Sequence, residues 1–291
     1  MNEHKLKRIH AFTNDVLADY DAVKIAQLIQ SKEVSVQEVT QAAVDRAKKI
    51  NPHINAIETD YFEQALNDPK FSINRQFSGV PFFFKDNTDY AGMPSHHGSK
   101  AVRPGNAVNN PKLSRQLLDQ GFVVLGKSTL PEFGLNASTE FKDGSATLNP
   151  WHTEYSCGAS SGGSAALVAA GVIPIAHAND GGGSIRIPAA CCGLIGLKPT
   201  RGRTFGSDAS KSLPINIISE GVVTRSVRDT AHFFAGMERS FQNPKLPAIG
   251  LIEHPSGRKL RIGLVPQSIT GQVDEETTAT LYQTAQLLEN L

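Results

Sequence analysis

The first third of the chain places apolar residues at the spacing of amphipathic helices. Apolar positions recur at Ile25, Leu28 and Ile29, and again through residues 36–47, which predicts two helices. Ser35 and Glu38 have the spacing of a capping box, in which each side chain satisfies a backbone N–H at the start of the second helix. We expect these helices to form an N-terminal helical arm over about residues 1–70.

After residue 79 the pattern changes to short apolar runs that alternate with helical segments. Three runs predict buried strands and two segments between them predict helices: strands at 80–84, 122–126 and 172–178, and helices at 111–120 and 164–171. This alternation is typical of an α/β fold with a largely buried sheet. The core of the domain is predicted to cover about residues 71–240.

The remaining segment, about residues 241–291, predicts the start of a C-terminal part. Residues 226–237 predict a helix that leads into it, residues 260–265 a strand, and residues 274–291 an amphipathic helix. The sequence stops on that helix without a glycine to end it. We therefore expect one domain over residues 1–291 that is cut short at its C-terminal end.

Charge, cysteine content and hydropathy narrow the class of protein. The 291 residues carry 29 basic and 28 acidic side chains, a net charge of +1, which indicates neither nucleic acid nor an anionic membrane as a partner. Three cysteines are too few for a disulfide framework. The polar first ten residues do not resemble a signal peptide, and the longest apolar stretch, residues 165–176, is too short to cross a bilayer. The sequence predicts a cytoplasmic protein.

A glycine-rich stretch at residues 179–189 (NDGGGSIRIPA) carries the most chemical information. Three glycines after an apolar strand allow a tight turn whose backbone N–H groups converge near the hydroxyl of Ser184. Fixed donors of this kind suit an oxyanion hole. They suit an anion-binding loop equally well, and the residues of this stretch leave both interpretations open.

Two further segments carry hydroxyl and amine groups in distinctive settings. Residues 157–164 (CGASSGGS) crowd serines into a tight turn, where Ser160 or Ser161 could simply cap the next helix. Lys85 follows three phenylalanines, so partial burial would lower its pKa and permit it to accept a proton. A lysine that leaves the strand for solvent, or that pairs with Asp86, is the alternative.

Taken together and in this order, these segments resemble the signature blocks of amidase-signature hydrolases. The blocks are residues 82–86 (FFFKD), 160–164 (SSGGS) and 180–189 (DGGGSIRIPA), and residues 192–200 and 221–229 extend the resemblance. The resemblance runs from about residue 22 to the end of the chain. It implies an α/β amidase-signature fold, with a mixed β-sheet core that is covered by helices on both faces.

The resemblance also implies a Ser–Ser–Lys arrangement. Ser184 is then the nucleophile, Lys85 the base, and Ser160 the bridging serine that follows a cis peptide bond. Ala159 stands where the family more often has glycine, so the cis bond would join Ala159 to Ser160.

Backbone donors and a braced turn complete the implied site. The N–H groups of Gly181, Gly182, Gly183 and Ser184 would hold the oxyanion. Asp180 and Arg186 would brace the loop without reacting.

No metal or cofactor is expected. His96 and His97 are adjacent but lack a second cluster at ligand spacing, and His152 with Glu154 lacks the cysteines of a zinc deaminase. His177, near the glycine-rich stretch, is interpreted as a packed and hydrogen-bonded side chain.

The resulting hypothesis is hydrolysis of the C–N bond of a small linear or cyclic amide. One alternative is the amidase subunit of a tRNA-dependent amidotransferase, although such subunits typically carry glutamine where this chain has Ile187. Another is an impaired amidase or half-enzyme that needs a partner chain. In that case exposed apolar surface would favour association, including formation of a homo-oligomer.

Overall fold

A computed structural model describes residues 8–207, 210, 213–255 and 257–290. The chain divides into two compact units, Met1–Glu253 and His254–Leu291. The first unit contains every residue of the predicted site. Each unit is described by itself.

Two N-terminal helices form where the apolar spacing predicts them. Helix α1 covers Ala22–Gln30 and helix α2 covers Val36–Ile54. The capping box at the start of α2 is confirmed, because Ser35 and Glu38 each accept a hydrogen bond from the backbone N–H of the other. The carboxylate of Asp229, in a later helix, accepts the N–H groups of Ala22 and Val23 at 2.9 Å and ties α1 to the core.

Within the described residues of the first unit, six strands form two three-stranded sheets. The strands are β1 (Ile57–Asp60), β2 (Pro81–Lys85), β3 (Val123–Ser128), β4 (Ile175–Asp180), β5 (Ile195–Gly196) and β6 (Ser219–Thr224). In the first sheet, β3 pairs antiparallel with β1 and parallel with β2. In the second sheet, β6 pairs antiparallel with β4 and β5. Strands β2 and β4 lie in contact, and the N–H of Lys85 donates to Nδ1 of His177 at 3.3 Å.

Helices connect the strands and pack on them. They are α3 (Phe62–Asn67), α4 (Lys112–Leu118), a 3-10 turn (Glu132–Gly134), α5 (Gly162–Ala169), α6 (Arg186–Cys192) and α7 (Val227–Ser240). Helix α5 contacts β2, β4 and β6, and α7 contacts β6. The predicted α/β fold with mixed strand directions is therefore confirmed.

Aromatic packing explains why β2 is buried throughout. The ring of Phe82 stacks on Phe122 with 4.2 Å between centroids, and Phe122 stacks on Phe77 at 5.0 Å. All three side chains are inaccessible to solvent. Because β2 is buried over its whole length, its last residue, Lys85, is held inside the protein rather than released to the surface.

The second unit confirms one prediction and corrects another. Helix α8 covers Glu275–Glu289, close to the predicted bounds, while residue 291 lies outside the described residues. The strand predicted at residues 260–265 is wrong, because this segment is irregular and its apolar side chains are exposed. A strand needs a partner for its backbone groups, and no described strand pairs with these residues.

None of the helices in the described ranges is both long and apolar enough to cross a membrane.

Cys157, Cys191 and Cys192 are free thiols, as expected, and the first and last of these three are buried.

Candidate active site

Lys85 lies at the end of β2 with its amine between two oxygen atoms. Its Nζ is 2.7 Å from Oγ of Ser160 and 2.7 Å from Oδ1 of Asn179. The lysine is completely buried and Ser160 almost so. The predicted alternative of a solvated lysine is therefore wrong, and the structure brings Lys85 and Ser160 into direct contact.

Burial changes the protonation chemistry of this amine. Loss of solvation lowers the pKa of Lys85 to about 7, although the negative charges of Glu220 and Asp180 oppose that shift. A lysine in bulk water is almost fully protonated at neutral pH. Lys85 is instead neutral in a substantial fraction of molecules, so it is able to act as a base.

Ser160 follows a cis peptide bond with Ala159, as the resemblance implies. Helix α5 begins two residues later at Gly162, and its second residue, Gly163, lies against the end of β3. A Cβ at Gly163 would be 2.5 Å from the backbone nitrogen of Thr129. This close approach, which only glycine permits, places the turn that carries Ser160 against the sheet.

The helix-cap interpretation of these serines is not supported. Ser161 precedes α5, but its side chain forms no cap hydrogen bond, and its Oγ donates instead to the carbonyl oxygen of Asn179 at 3.4 Å. Ser160 Oγ is directed to Lys85. Both hydroxyls thus contact β2 or β4 rather than the start of their own helix.

The predicted glycine turn connects the end of β4 to the start of α6. Asp180 ends β4, and its buried carboxylate accepts the N–H of Gly183 at 2.7 Å. It also receives two hydrogen bonds from the guanidinium of Arg186, at 2.8 and 2.9 Å. Burial alone would raise the pKa of Asp180, but Arg186 and the backbone donors hold it below its ordinary value.

Three of the four predicted oxyanion donors have no acceptor among the described residues. The N–H groups of Gly181, Gly182 and Ser184 donate to none of the described residues, whereas that of Gly183 is engaged by Asp180. Ser184 is half-buried, and its hydroxyl forms no hydrogen bond within the described part of the chain.

Exposed apolar side chains flank this region. Gly134 lies beside the Ser160 hydroxyl, since a Cβ there would be 3.2 Å from Oγ. Its neighbours Phe133 and Leu135 are exposed. At the glycine turn, Ile187 is 36% exposed, and its Cδ1 would be 2.6 Å from a Cβ at Gly183.

The contact of Asn179 with Lys85 was not predicted from the sequence, whereas the packed and hydrogen-bonded state of His177 was. Asn179, which looks like an ordinary turn residue, contacts the Lys85 amine. His177 is packed and hydrogen-bonded as expected, with its Nε2 at 3.3 Å from Oε2 of the buried Glu220. Because Nδ1 of His177 accepts the backbone N–H of Lys85, the neutral imidazole carries its proton on Nε2 and donates it to Glu220.

One trio in the described ranges has the spacing of metal ligands. Ligand atoms of Glu58, Asp86 and His96 lie within 4.8 Å of one another. However, the buried amine of Lys127 lies 3.9 Å from Oδ1 of Asp86. Burial raises the pKa of Asp86 and lowers that of Lys127, and each charge opposes the shift of the other. Lys127 already supplies the positive charge next to this carboxylate.

Comparison with known proteins identifies the family. The family model named Amidase matches residues 38–291. The putative amidase AmiC of Mycobacterium tuberculosis is 46% identical over 288 residues, which are 98% of this chain and 61% of that protein. The 6-aminohexanoate-cyclic-dimer hydrolase of Paenarthrobacter ureafaciens is 39% identical over 216 residues, or 72% of this chain and 44% of that protein.

A solved structure agrees with the sequence comparisons. The structure of 6-aminohexanoate cyclic dimer hydrolase in complex with substrate superimposes with a TM-score of 0.82 at 33% identity, and covers 95% of this chain and 59% of the solved one. The chain thus spans about three fifths of the length of AmiC and of the solved hydrolase, and its match to the Paenarthrobacter ureafaciens protein spans less than half of that protein. Family model, sequence identity and fold agree, and the chain belongs to the amidase family.

Proposed function

We propose that this protein hydrolyses the C–N bond of a carboxamide through an acyl-enzyme on Ser184. The observation that carries the proposal is the contact between the buried amine of Lys85 and Oγ of Ser160. A desolvated lysine beside a serine provides a base at neutral pH. Membership of the amidase family supports an amide as the substrate.

The acylation step uses the two serines and the lysine in sequence. Ser184 transfers its hydroxyl proton to Ser160, which passes its own proton to neutral Lys85, and this relay requires the Ser184 hydroxyl to approach Ser160. Oγ of Ser184 forms a bond to the carbonyl carbon, and the carbonyl π electrons move to the oxygen. The N–H groups of Gly181, Gly182 and Ser184, which donate to none of the residues that the structure describes, stabilise that oxyanion.

Breakdown of the tetrahedral intermediate returns the proton. The C–N bond breaks, the leaving nitrogen takes a proton from Ser160, and Ser160 recovers one from Lys85. In the second half, water loses a proton to the same relay and its oxygen forms a bond to the ester carbon. The bond between that carbon and Oγ of Ser184 then breaks, and Oγ takes the proton back from the relay, which leaves Lys85 neutral. The products are a carboxylic acid, an amine and the regenerated Ser184.

The substrate class follows from the surroundings of the site and from the relatives. The exposed apolar residues Phe133, Leu135 and Ile187 would contact an uncharged, apolar substituent more readily than an ionic one. One relative is named as a hydrolase of the cyclic dimer of 6-aminohexanoate. We therefore infer a small linear or cyclic amide with an apolar portion.

The amidotransferase alternative is not favoured. Ile187 occupies the position at which such subunits typically carry glutamine, and its apolar side chain supplies no amide to that part of the site. The relatives described above are named as a putative amidase and as a cyclic-dimer hydrolase, and neither is named as an amidotransferase subunit.

Labelling with a fluorophosphonate tests the proposal without knowledge of the substrate. The 291-residue chain would be incubated with the probe, and the adduct mapped by mass spectrometry. We expect an adduct on Ser184 that is absent in Ser184→Ala and forms at least about 100-fold more slowly in Lys85→Ala. A folded wild-type chain without an adduct on Ser184 would contradict the proposal.

A further inference from the structure

The side chain of Asn179 forms a contact that the mechanism above does not use. Asn179 lies in β4, is only 6% exposed, and places Oδ1 2.7 Å from Nζ of Lys85. Its amide nitrogen donates to Oδ1 of Asn87 at 3.2 Å. The amide of Asn87 in turn lies 3.5 Å from Oδ1 of Asn179. The amine of Lys85 thus meets an amide whose orientation is held by a second amide.

The chemistry of a neutral amine makes this contact directional. Neutral Lys85 has two N–H bonds and one lone pair, and the lone pair must point at the Ser160 hydroxyl for proton transfer. The amide oxygen of Asn179 only accepts hydrogen bonds, so one N–H of Lys85 must be directed at it. With that N–H fixed, rotation about the terminal C–N bond of Lys85 is restricted, and the lone pair can be turned to Ser160.

The hydrogen bond to Asn87 determines which atom of the Asn179 amide faces Lys85. If the Asn179 amide were turned over, its nitrogen would donate to the lysine lone pair and compete with Ser160. The donation from Asn179 Nδ2 to Asn87 Oδ1 keeps the oxygen on the lysine side. The other charged groups that act on Lys85 are Glu220 of β6 and Asp180 at the end of β4, and both stabilise its protonated form. His177 of β4 contacts only the backbone of Lys85.

We propose that Asn179 is a positioning residue, which directs the lone pair of Lys85 at Ser160 and is itself oriented by Asn87. This inference rests on the proposed function, because it assigns a role within the same proton relay. A purely structural alternative is a buried amide that only fills space in β4. The two interpretations differ in whether removal of the Asn179 amide lowers the labelling rate on the plateau of the pH profile, where Lys85 is neutral.

The test measures the rate of fluorophosphonate labelling at Ser184 as a function of pH. In Asn179→Asp, a carboxylate replaces the amide beside Nζ and favours the protonated lysine. The midpoint of the pH profile should then rise by about one pH unit or more. In Asn179→Ala, the rate on the plateau should fall about tenfold or more.

A matched control separates positioning from loss of packing. Asn149 is also a buried asparagine, 5% exposed, but it donates to Ser156 and Cys191 and does not contact Lys85. Asn149→Asp makes the same chemical change and should leave the midpoint where it is in the wild type. If Asn179→Asp does not fold, Asn87→Ala removes the orienting amide without a change in any group that touches Lys85, and its labelling rate should fall.

The outcomes distinguish this inference from the proposed function. An unlabelled wild type, or one whose labelling does not depend on Lys85, contradicts the proposed function itself. A wild type that is labelled through Lys85, together with an Asn179→Ala variant of unchanged plateau rate or an Asn179→Asp variant of unchanged midpoint, overturns only the role of Asn179. An unchanged rate in Asn87→Ala overturns the orienting role of Asn87.

Discussion

Lys85 Nζ and Ser160 Oγ lie 2.7 Å apart, although 75 residues separate them in the chain. The lysine is held there because β2 is buried along its whole length, and the serine because the turn before α5 lies against the end of β3. Neither residue could leave this position without exposing apolar surface or separating α5 from the sheet. The contact is therefore a property of the core packing and not of a flexible loop.

Activity should depend on pH through Lys85. Because the pKa of this amine is lowered to about 7 and only the neutral form accepts a proton, Ser184 labelling should become faster as pH rises through about 7. The measurement is the labelling rate between about pH 5 and 9. A rate that falls with pH over this interval, or that is flat, would show that Lys85 is not the base.

The same lysine should make stability depend on pH. Its folded pKa lies below its ordinary value of 10.5, so between these two values the unfolded state binds more protons. Its contribution to the free energy of unfolding therefore rises with pH in this window. Lys85→Met removes the effect, and the melting temperature of the variant relative to wild type should be higher at about pH 6 than at about pH 9. An offset that does not vary with pH would refute this.

Substitutions at Gly183 and Gly182 should differ in their effect on stability, because only Gly183 has a positive φ and a close neighbour. Gly183 has a φ of +131° and lies against Ile187, so Gly183→Ala should destabilise the protein by about 1–3 kcal/mol and slow labelling of Ser184. A Cβ at Gly182 would meet no atom within 4 Å, and Gly182→Ala should leave the stability close to that of wild type. Urea denaturation measures both. Equal stability of the two variants would argue against the described turn.

Loss of Arg186 should leave a buried carboxylate without its partner. Asp180 is fully buried, whereas Arg186 is 53% exposed, so solvent screens part of the interaction. We expect Arg186→Ala to lower the free energy of unfolding by about 1–3 kcal/mol, less than for a fully buried pair. Arg186→Lys retains the charge but not the two parallel hydrogen bonds, and it should recover part of the loss. A variant without any change in unfolding would exclude the bracing role.

Asp86 and Lys127 should behave as a pair rather than as part of a metal site. Lys127→Met leaves the Asp86 carboxylate buried without its cation and should destabilise the protein by about 3 kcal/mol. The double variant with Asp86→Asn should be more stable than Lys127→Met alone, which thermal unfolding in a double-mutant cycle would detect. Treatment with a chelator should leave Ser184 labelling unchanged. A loss of labelling on chelation would instead favour a metal at Glu58, Asp86 and His96.

The sequence predicted the helices and strands whose local pattern of apolar residues is sufficient to determine their secondary structure. Helices α1 and α2 follow from the 3.6-residue apolar period and the Ser35–Glu38 capping box. Strands β2, β3 and β4 follow from short, continuous apolar runs. Such patterns are local, and the structure preserves them because local preference and global packing agree.

Tertiary contacts explain what the sequence did not predict. Strand β6 contains Gly221 and two polar residues at its start, yet it is buried because it pairs between β4 and β5. Residues 260–265 show the reverse case, since they have a strand-like pattern without a strand beside them. Two hydrogen bonds within the site were also not predicted: the N–H of Gly183 donates to Asp180, and Lys85 contacts Asn179. Both depend on the directions of side chains, which the spacing of residues along the sequence does not determine.

Capture of the acyl-enzyme tests most directly whether Ser184 is the nucleophile. The chain would be mixed with p-nitrophenyl butyrate, an activated acyl donor, quenched during turnover and digested for mass spectrometry. We predict a single butyryl group on Ser184, formed with a burst of about one p-nitrophenolate per active chain and absent in Ser184→Ala. Release of p-nitrophenolate without acylation of Ser184, or at an equal rate in Ser184→Ala, would show that Ser184 is not the nucleophile.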